Sequence, residues 1–236
     1  MVGDEVMDDD PLSIKLNQPA LFDFTGSSSD TIELFPTVWG AAEELTSPEI
    51  EIRRSALERL AALNAIRLSP LIAYLVATRV YEPDLNLRKR VVQFLGDVLA
   101  PDEDGLPAPE SVTRHLLAYL TQMRTRQILA LLQVAAFDAI TETSAARLFN
   151  ACPYGGNQLA GIAGDRKVPM DIRREAARMI GLVGYLDALP ALERLEARLN
   201  ARLKGQQSMP FAPPSGPEES ELLPVVQNAL TLLRSH

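Results

Sequence analysis

Few residues in this chain could carry out acid-base or nucleophilic chemistry. It holds two histidines, His115 and the terminal His236, and one cysteine, Cys152. A cysteine and a histidine act as nucleophile and base only within hydrogen-bonding reach, and nothing in the sequence brings these two together. His115 lies among Leu116, Leu117 and Leu120, which form the apolar stripe of a helix and leave the histidine on its polar face. Cys152 reads as a buried structural thiol. The sequence therefore assigns no catalytic residue. It calls for no cofactor and no metal, since two histidines and one cysteine supply neither a multi-cysteine zinc site nor paired His-Glu iron ligands.

Two loops imitate ligand sites. The run Gly155-Gly156-Asn157-Gln158-Leu159-Ala160-Gly161 has phosphate-loop spacing, but Ile162 stands where the loop needs its lysine. It is expected to be an irregular connection between helices, with Arg166 and Lys167 as the remaining cations for an anion. Asp102-Glu103-Asp104-Gly105 opens like a calcium loop but lacks the glutamate at its twelfth position, so a solvated turn is expected.

Arginine carries more information. The chain has 19 arginines and four lysines, and many recur at equivalent positions: Arg53 and Arg54, Arg88 to Arg90, Arg124 and Arg126, Arg173 and Arg174. The first of each group is expected to pair one helical turn back, Arg53 with Glu49 and Arg88 with Asp84. The next positions, Arg54, Lys89, Arg90, Arg126 and Arg174, are freer to form a docking stripe, because the guanidinium fork suits carboxylates and phosphates. A second set lies near the N-terminus, where Phe22, Phe24, Phe35 and Trp39 alternate with Asp23, Asp30 and Glu33. Aromatics among acids suit a segment that docks in a basic groove, its own or a partner's; they equally suit covering the apolar end of the first helices.

Composition bounds what these residues can do. Apolar residues make up 47% of 236 and aromatics only 6%, a balance that favours packed helices over sheets. The net charge of −8 argues against nucleic acid as the partner. That charge is concentrated: residues 1–50 hold 11 acids and one base, Lys15, leaving 20 acids and 22 bases in the remainder. The acidic start lacks the basic-then-apolar pattern of a secretion signal, apolar runs are too short for a membrane span, and a single cysteine fits a reducing cytoplasm.

The elements follow from starts and periodicity. Residues 1–46 form an acidic irregular arm, with a turn of helix near Val38 to Leu45. Ser47-Pro48-Glu49 predicts a helix over 48–63, and Ser69-Pro70 opens a second over Leu71 to Val80. This hairpin recurs. Ile52-Arg53, Leu87-Arg88 and Ile172-Arg173 each precede paired small or aliphatic residues; Leu60, Leu95 and Ile180 follow at a constant offset, and after them Ala61, Gly96 and Gly181. The first two anchors lie 35 residues apart and the last two 85, room for one divergent unit starting near Met123-Arg124. After a helix at 188–203, a proline-rich loop spans 204–218, and the C-terminal capping segment 219–236 forms a helix from Leu223 to Arg234 with Pro224 in its first turn.

The pattern resembles HEAT repeats, particularly the bacterial HEAT-like or PBS-lyase type, on Asp171-Ile172-Arg173, Ala176-Ala177, Ile180-Gly181 and Asp187-Ala188-Leu189-Pro190. The resemblance covers 47–203 and implies an all-α solenoid of about four helical hairpins. It specifies fold far more than activity. The expected role is a non-catalytic cytoplasmic scaffold or adaptor that binds protein, in particular an acidic segment. The rivals are a HEAT-like nucleic-acid-binding or glycosylase-type repair protein and a bilin-lyase-like enzyme. A glycosylase would need a strongly basic concave face with several aromatics, and the single tryptophan, Trp39, lies outside the repeats.

Overall fold

The computed structural model describes residues 35–207 and 217–235. Among them the chain forms helices and no strand: α1 (Pro36–Glu44), α2 (Ile50–Ala62), α3 (Ala65–Leu68), α4 (Pro70–Ala77), α5 (Leu85–Val98) and α6 (Glu110–Leu120). There follow α7 (Thr125–Ala135), α8 (Ala139–Asn150), α9 (Gly155–Gly164), α10 (Met170–Val183), α11 (Leu189–Gln207) and α12 (Pro217–Arg234), with a 3-10 turn at Leu186–Ala188. No helix among the described residues is long and apolar enough to cross a membrane.

Local chemistry sets the boundaries. The Ser69 hydroxyl accepts from the Ile72 amide at 3.1 Å, with Pro70 at the first helical position. Asp84 and Asp138 cap α5 and α8 in the same way, accepting from the amides of Leu87 and Thr141 at 2.8 Å. Gly184, at φ 83°, closes α10 in the left-handed conformation that favours glycine. Ser47 differs from expectation: its hydroxyl accepts from Glu49, forming a turn ahead of α2, so the helix starts at Ile50.

Three other expectations are corrected. The glycine-rich segment is a helix, α9, because Leu159, Ala160, Ile162 and Ala163 are buried on one face. Helix α12 starts at Pro217, which places Pro224 inside it and not in its first turn. Helix α11 continues to Gln207, past the expected end at 203.

The helices pack in pairs, and the pairings run in two series. One passes from α1 to α2, α5, α8, α10 and α12; the other joins α4 to α6, and α7 to α9 to α11. The series are tied together where α5 meets α4 and α7, α8 meets α7, α10 meets α9, and α12 meets α11. A continuous apolar core runs from Val38 in α1 to Leu233 in α12. At its two ends α1 buries Val38, Ala41 and Ala42, and α12 buries Leu222, Val226, Ala229, Leu230 and Leu233.

Two glycines set the closest approaches within the first series. A Cβ on Gly96 of α5 would stand 2.7 Å from the Ser144 Cα of α8, and one on Gly181 of α10 would stand 2.8 Å from the Ala229 Cα of α12. Each crossing lays a glycine against a small residue, so the backbones themselves are in contact. Gly181→Leu should therefore destabilise the protein by about 1 to 3 kcal/mol through overpacking. Thermal melts followed by circular dichroism check this, and an unchanged midpoint would contradict the assigned contact.

Candidate functional site

The first arginine of three of the four groups, Arg53, Arg88 and Arg173, is committed to the fold, but not as the sequence suggests, whereas Arg124 is exposed. Arg53 pairs with Glu82 at 2.5 Å, not with Glu49, and donates to the carbonyls of Ser47 and Pro48 at 2.8 and 2.9 Å. Arg88 donates to the Glu82 carbonyl at 2.6 Å and to the Gln133 side chain at 2.5 Å, not to Asp84. Glu82 is buried and joins the two, receiving Arg53 on its carboxylate and Arg88 on its carbonyl. Burial pushes the Arg88 guanidinium below its ordinary value, with Glu82 and Asp84 opposing the shift. Arg173 is buried and donates to the Ala163 carbonyl in the last turn of α9 at 3.0 Å.

Four of the second positions, Arg54, Lys89, Arg90 and Arg174, lie on α2, α5 and α10 of the first series and are neutralised there, while Arg126 lies on α7 of the other. Arg54 meets Glu51 at 2.8 Å and Asp84 at 4.0 Å; Lys89 meets Asp138 at 2.5 Å; Arg174 meets Glu221 of α12 at 3.3 Å. Arg90 grips both oxygens of Glu58 at 2.7 and 2.8 Å and lies over the Phe94 ring, 4.4 Å from its centroid. Hydrogen bonds from Lys89 and from the Thr141 amide hold Asp138 down at about 2. Arg126 lacks a carboxylate partner among the described residues and stacks on Tyr81 at 5.0 Å. Of the aromatic set, Phe22 and Phe24 lie outside the described residues. Trp39 is on α1, 43% exposed, pointing away from the apolar face that α1 buries.

Structure also accounts for the residues that imitate catalytic and ligand sites. The His115 Nδ1 lies 2.7 Å from the Ser111 carbonyl of the same helix. Cys152 is fully buried, and burial pushes its thiol up. The Tyr185 hydroxyl donates to the carbonyls of Phe149 and Cys152; its ring occupies the space that a side chain on Gly155 would need, and its Cβ that of one on Gly156. The Asp187 carboxylate also stands against Gly156, in the first turn of α9, where a phosphate loop would hold its anion. The Asp102 carboxylate accepts from its own turn, from Asp104 at 3.1 Å and Leu106 at 2.8 Å. No group of three or more metal-ligating side chains occurs among the described residues.

What remains is a groove between α9 and α11, about 580 Å³ in volume. Asn157, Ala160 and Gly161 line it from α9; Ala191, Arg194 and Arg198 line it from α11. Arg194 and Arg198 are exposed, one helical turn apart, and neither has an ion pair or hydrogen bond among the described residues. Arg198 reaches across, its Nη2 lying 3.6 Å from where a Cβ on Gly164 would be. Sequence reading missed this pair because it follows the last repeat anchor; its four-residue spacing on a helical pattern was the available clue. No family model, curated protein or solved structure matches this chain.

A second polar feature lies in the seam between α8 and α10. Glu142 of α8 pairs with Arg178 of α10, and Glu175, 5% exposed, keeps a buried oxygen that meets no donor among the described residues. Burial raises the Glu175 pKa, aided by Glu142 and opposed by Arg178 and Arg174. A carboxyl whose pKa is raised on folding binds more protons folded than unfolded, so its contribution to stability falls as pH rises through that window. Glu175→Gln is expected to raise the melting temperature at about pH 7.5 and to leave it nearly unchanged at about pH 3, where the carboxyl is protonated in both states. Equal shifts at both pH values would show that Glu175 ionises without cost.

Proposed function

We propose that this chain is a non-catalytic, HEAT-like helical-repeat scaffold that docks an acidic segment of a protein partner in the α9–α11 groove. The two series of helix pairings and the recurring Ile/Leu-Arg units support the repeat reading. One observation carries the docking: Arg194 and Arg198 line a concave surface and have no carboxylate partner among the described residues, while Arg54, Lys89, Arg90 and Arg174 have at least one each from the chain itself. A guanidinium already held by a carboxylate gains little from a second, whereas an unpaired one offers its full fork. Two cations in one groove suit a short acidic stretch; a nucleic-acid backbone needs a longer basic track. His115 and Cys152 have structural roles in this reading, and no chemistry is assigned to them.

The test uses the full-length protein and a fluorescein-labelled, 20-residue alanine-rich peptide with glutamates at four-residue spacing. Wild type should bind it with an affinity that falls as salt rises, and Arg194→Glu/Arg198→Glu should weaken binding by roughly tenfold or more. Arg54→Gln/Arg174→Gln serves as control and should bind like wild type. Equal anisotropy for wild type and the charge-reversed variant would refute the assignment.

A further inference from the structure

The groove has a property that charge does not explain. Glycine in a helix interior is unfavourable by about 1 kcal/mol relative to alanine, so its presence on a packing face needs a reason. Gly96 and Gly181 have one, since each receives a small residue from a crossing helix. Gly155 and Gly156 have one in Tyr185 and Asp187. Gly161, in the middle of α9, has none among the described residues: a Cβ there would meet no heavy atom within 4 Å. It faces the groove, beside Ala160 and opposite Ala191. Gly40 of α1 is open too, but it does not line this groove.

We infer that the occupant of the α9–α11 groove is an acidic helix of a partner protein, which lies along α11, sets a small residue on Gly161 and places two carboxylates four residues apart against Arg194 and Arg198. This rests on the docking reading above and specifies the partner's shape. Two helix crossings within this protein already use the same contact, Ser144 on Gly96 and Ala229 on Gly181. Charge spacing agrees with it. Residues four apart on a helix are separated by about 6 Å along its axis, so carboxylates at that spacing on a helix running beside α11 match its two guanidiniums. Volume agrees as well. A helix with its side chains is roughly 10 Å across, so about 580 Å³ admits one ridge of it, with the opposite face left to the rest of the partner.

The experiment compares the same labelled peptide with a twin carrying a central Ala→Pro, at constant charge, against full-length wild type and Gly161→Leu. Circular dichroism verifies that only the first peptide is helical. Wild type should bind the helical peptide roughly tenfold more tightly than the twin, and Gly161→Leu should lose that preference. Its melting temperature should be unchanged or higher, because the added side chain enters open space. If both peptides bind equally to both proteins and still respond to Arg194→Glu/Arg198→Glu, acidic docking stands and the helix is overturned. If Gly161→Leu lowers the melting temperature as Gly181→Leu does, Gly161 is covered by the chain itself, which also overturns it.

Discussion

Helix ends leave carbonyl oxygens without an intrahelical donor, and a fold built from short helices has many of them close to its interior. Arginines from neighbouring elements supply the missing donors. Arg67 donates to the carbonyls of Asp97 and Ala100 at the end of α5, at 2.9 and 3.0 Å, and to Leu106 beyond it at 2.6 Å. Arg147 of α8 reaches the Gly96 carbonyl, and Arg173 of α10 reaches that of Ala163. Arg53 and Arg88 do the same for carbonyls in the turns before α2 and α5. Five donors in a rigid fork can serve several carbonyls at once, which a lysine ammonium does less well. At least five of the 19 arginines, Arg53, Arg67, Arg88, Arg147 and Arg173, serve the architecture in this way.

A second constraint is register. Successive helices of the first series are bridged by ion pairs: Arg59 with Glu44 between α1 and α2, Arg90 with Glu58 between α2 and α5, and Arg147 with Asp97 between α5 and α8. Arg178 with Glu142 continues it between α8 and α10, and Arg174 with Glu221 between α10 and α12. All but the Arg178–Glu142 pair, whose carboxylate is largely covered, are exposed on both sides and contribute at most about 1 kcal/mol each, too little to hold the fold together. A slip by one turn would break each of these pairs, so the set favours the observed register. The pairing also changes the surface: cations that look like a stripe in the sequence present a nearly neutral edge. On α11 the alternation stops at Arg194 and Arg198.

The sequence showed helices wherever local chemistry sufficed. Ser69-Pro70, Asp84 and the 3.6-residue periodicity locate α4 and α5 to within a few residues, and Gly96 and Gly181 could be placed at crossings because their repeat positions match. Partners of long side chains were another matter. Glu49 lies four residues before Arg53, yet Arg53 turns to Glu82, because a buried carboxylate brought in from the next hairpin competes better than an exposed one on the same helix. The helical state of Gly155–Gly164 was hidden for a related reason. Four glycines argue against a helix until Tyr185, thirty residues on, is seen to need the space two of them leave. The α11 groove was illegible because concavity belongs to two helices at once.

The Tyr185 hydroxyl ties the end of α8 to the start of α9 through the carbonyls of Phe149 and Cys152, and the Cys152 amide donates back to Phe149 at 2.7 Å. The chain's one thiol sits inside that knot, fully covered, its pKa pushed up by burial. A thiol-specific reagent can reach it only when the corner opens. The labelling rate of Cys152 is thus a direct clock for local unfolding at the junction that leads into α9, and with no other cysteine in the chain the reading comes from that one place.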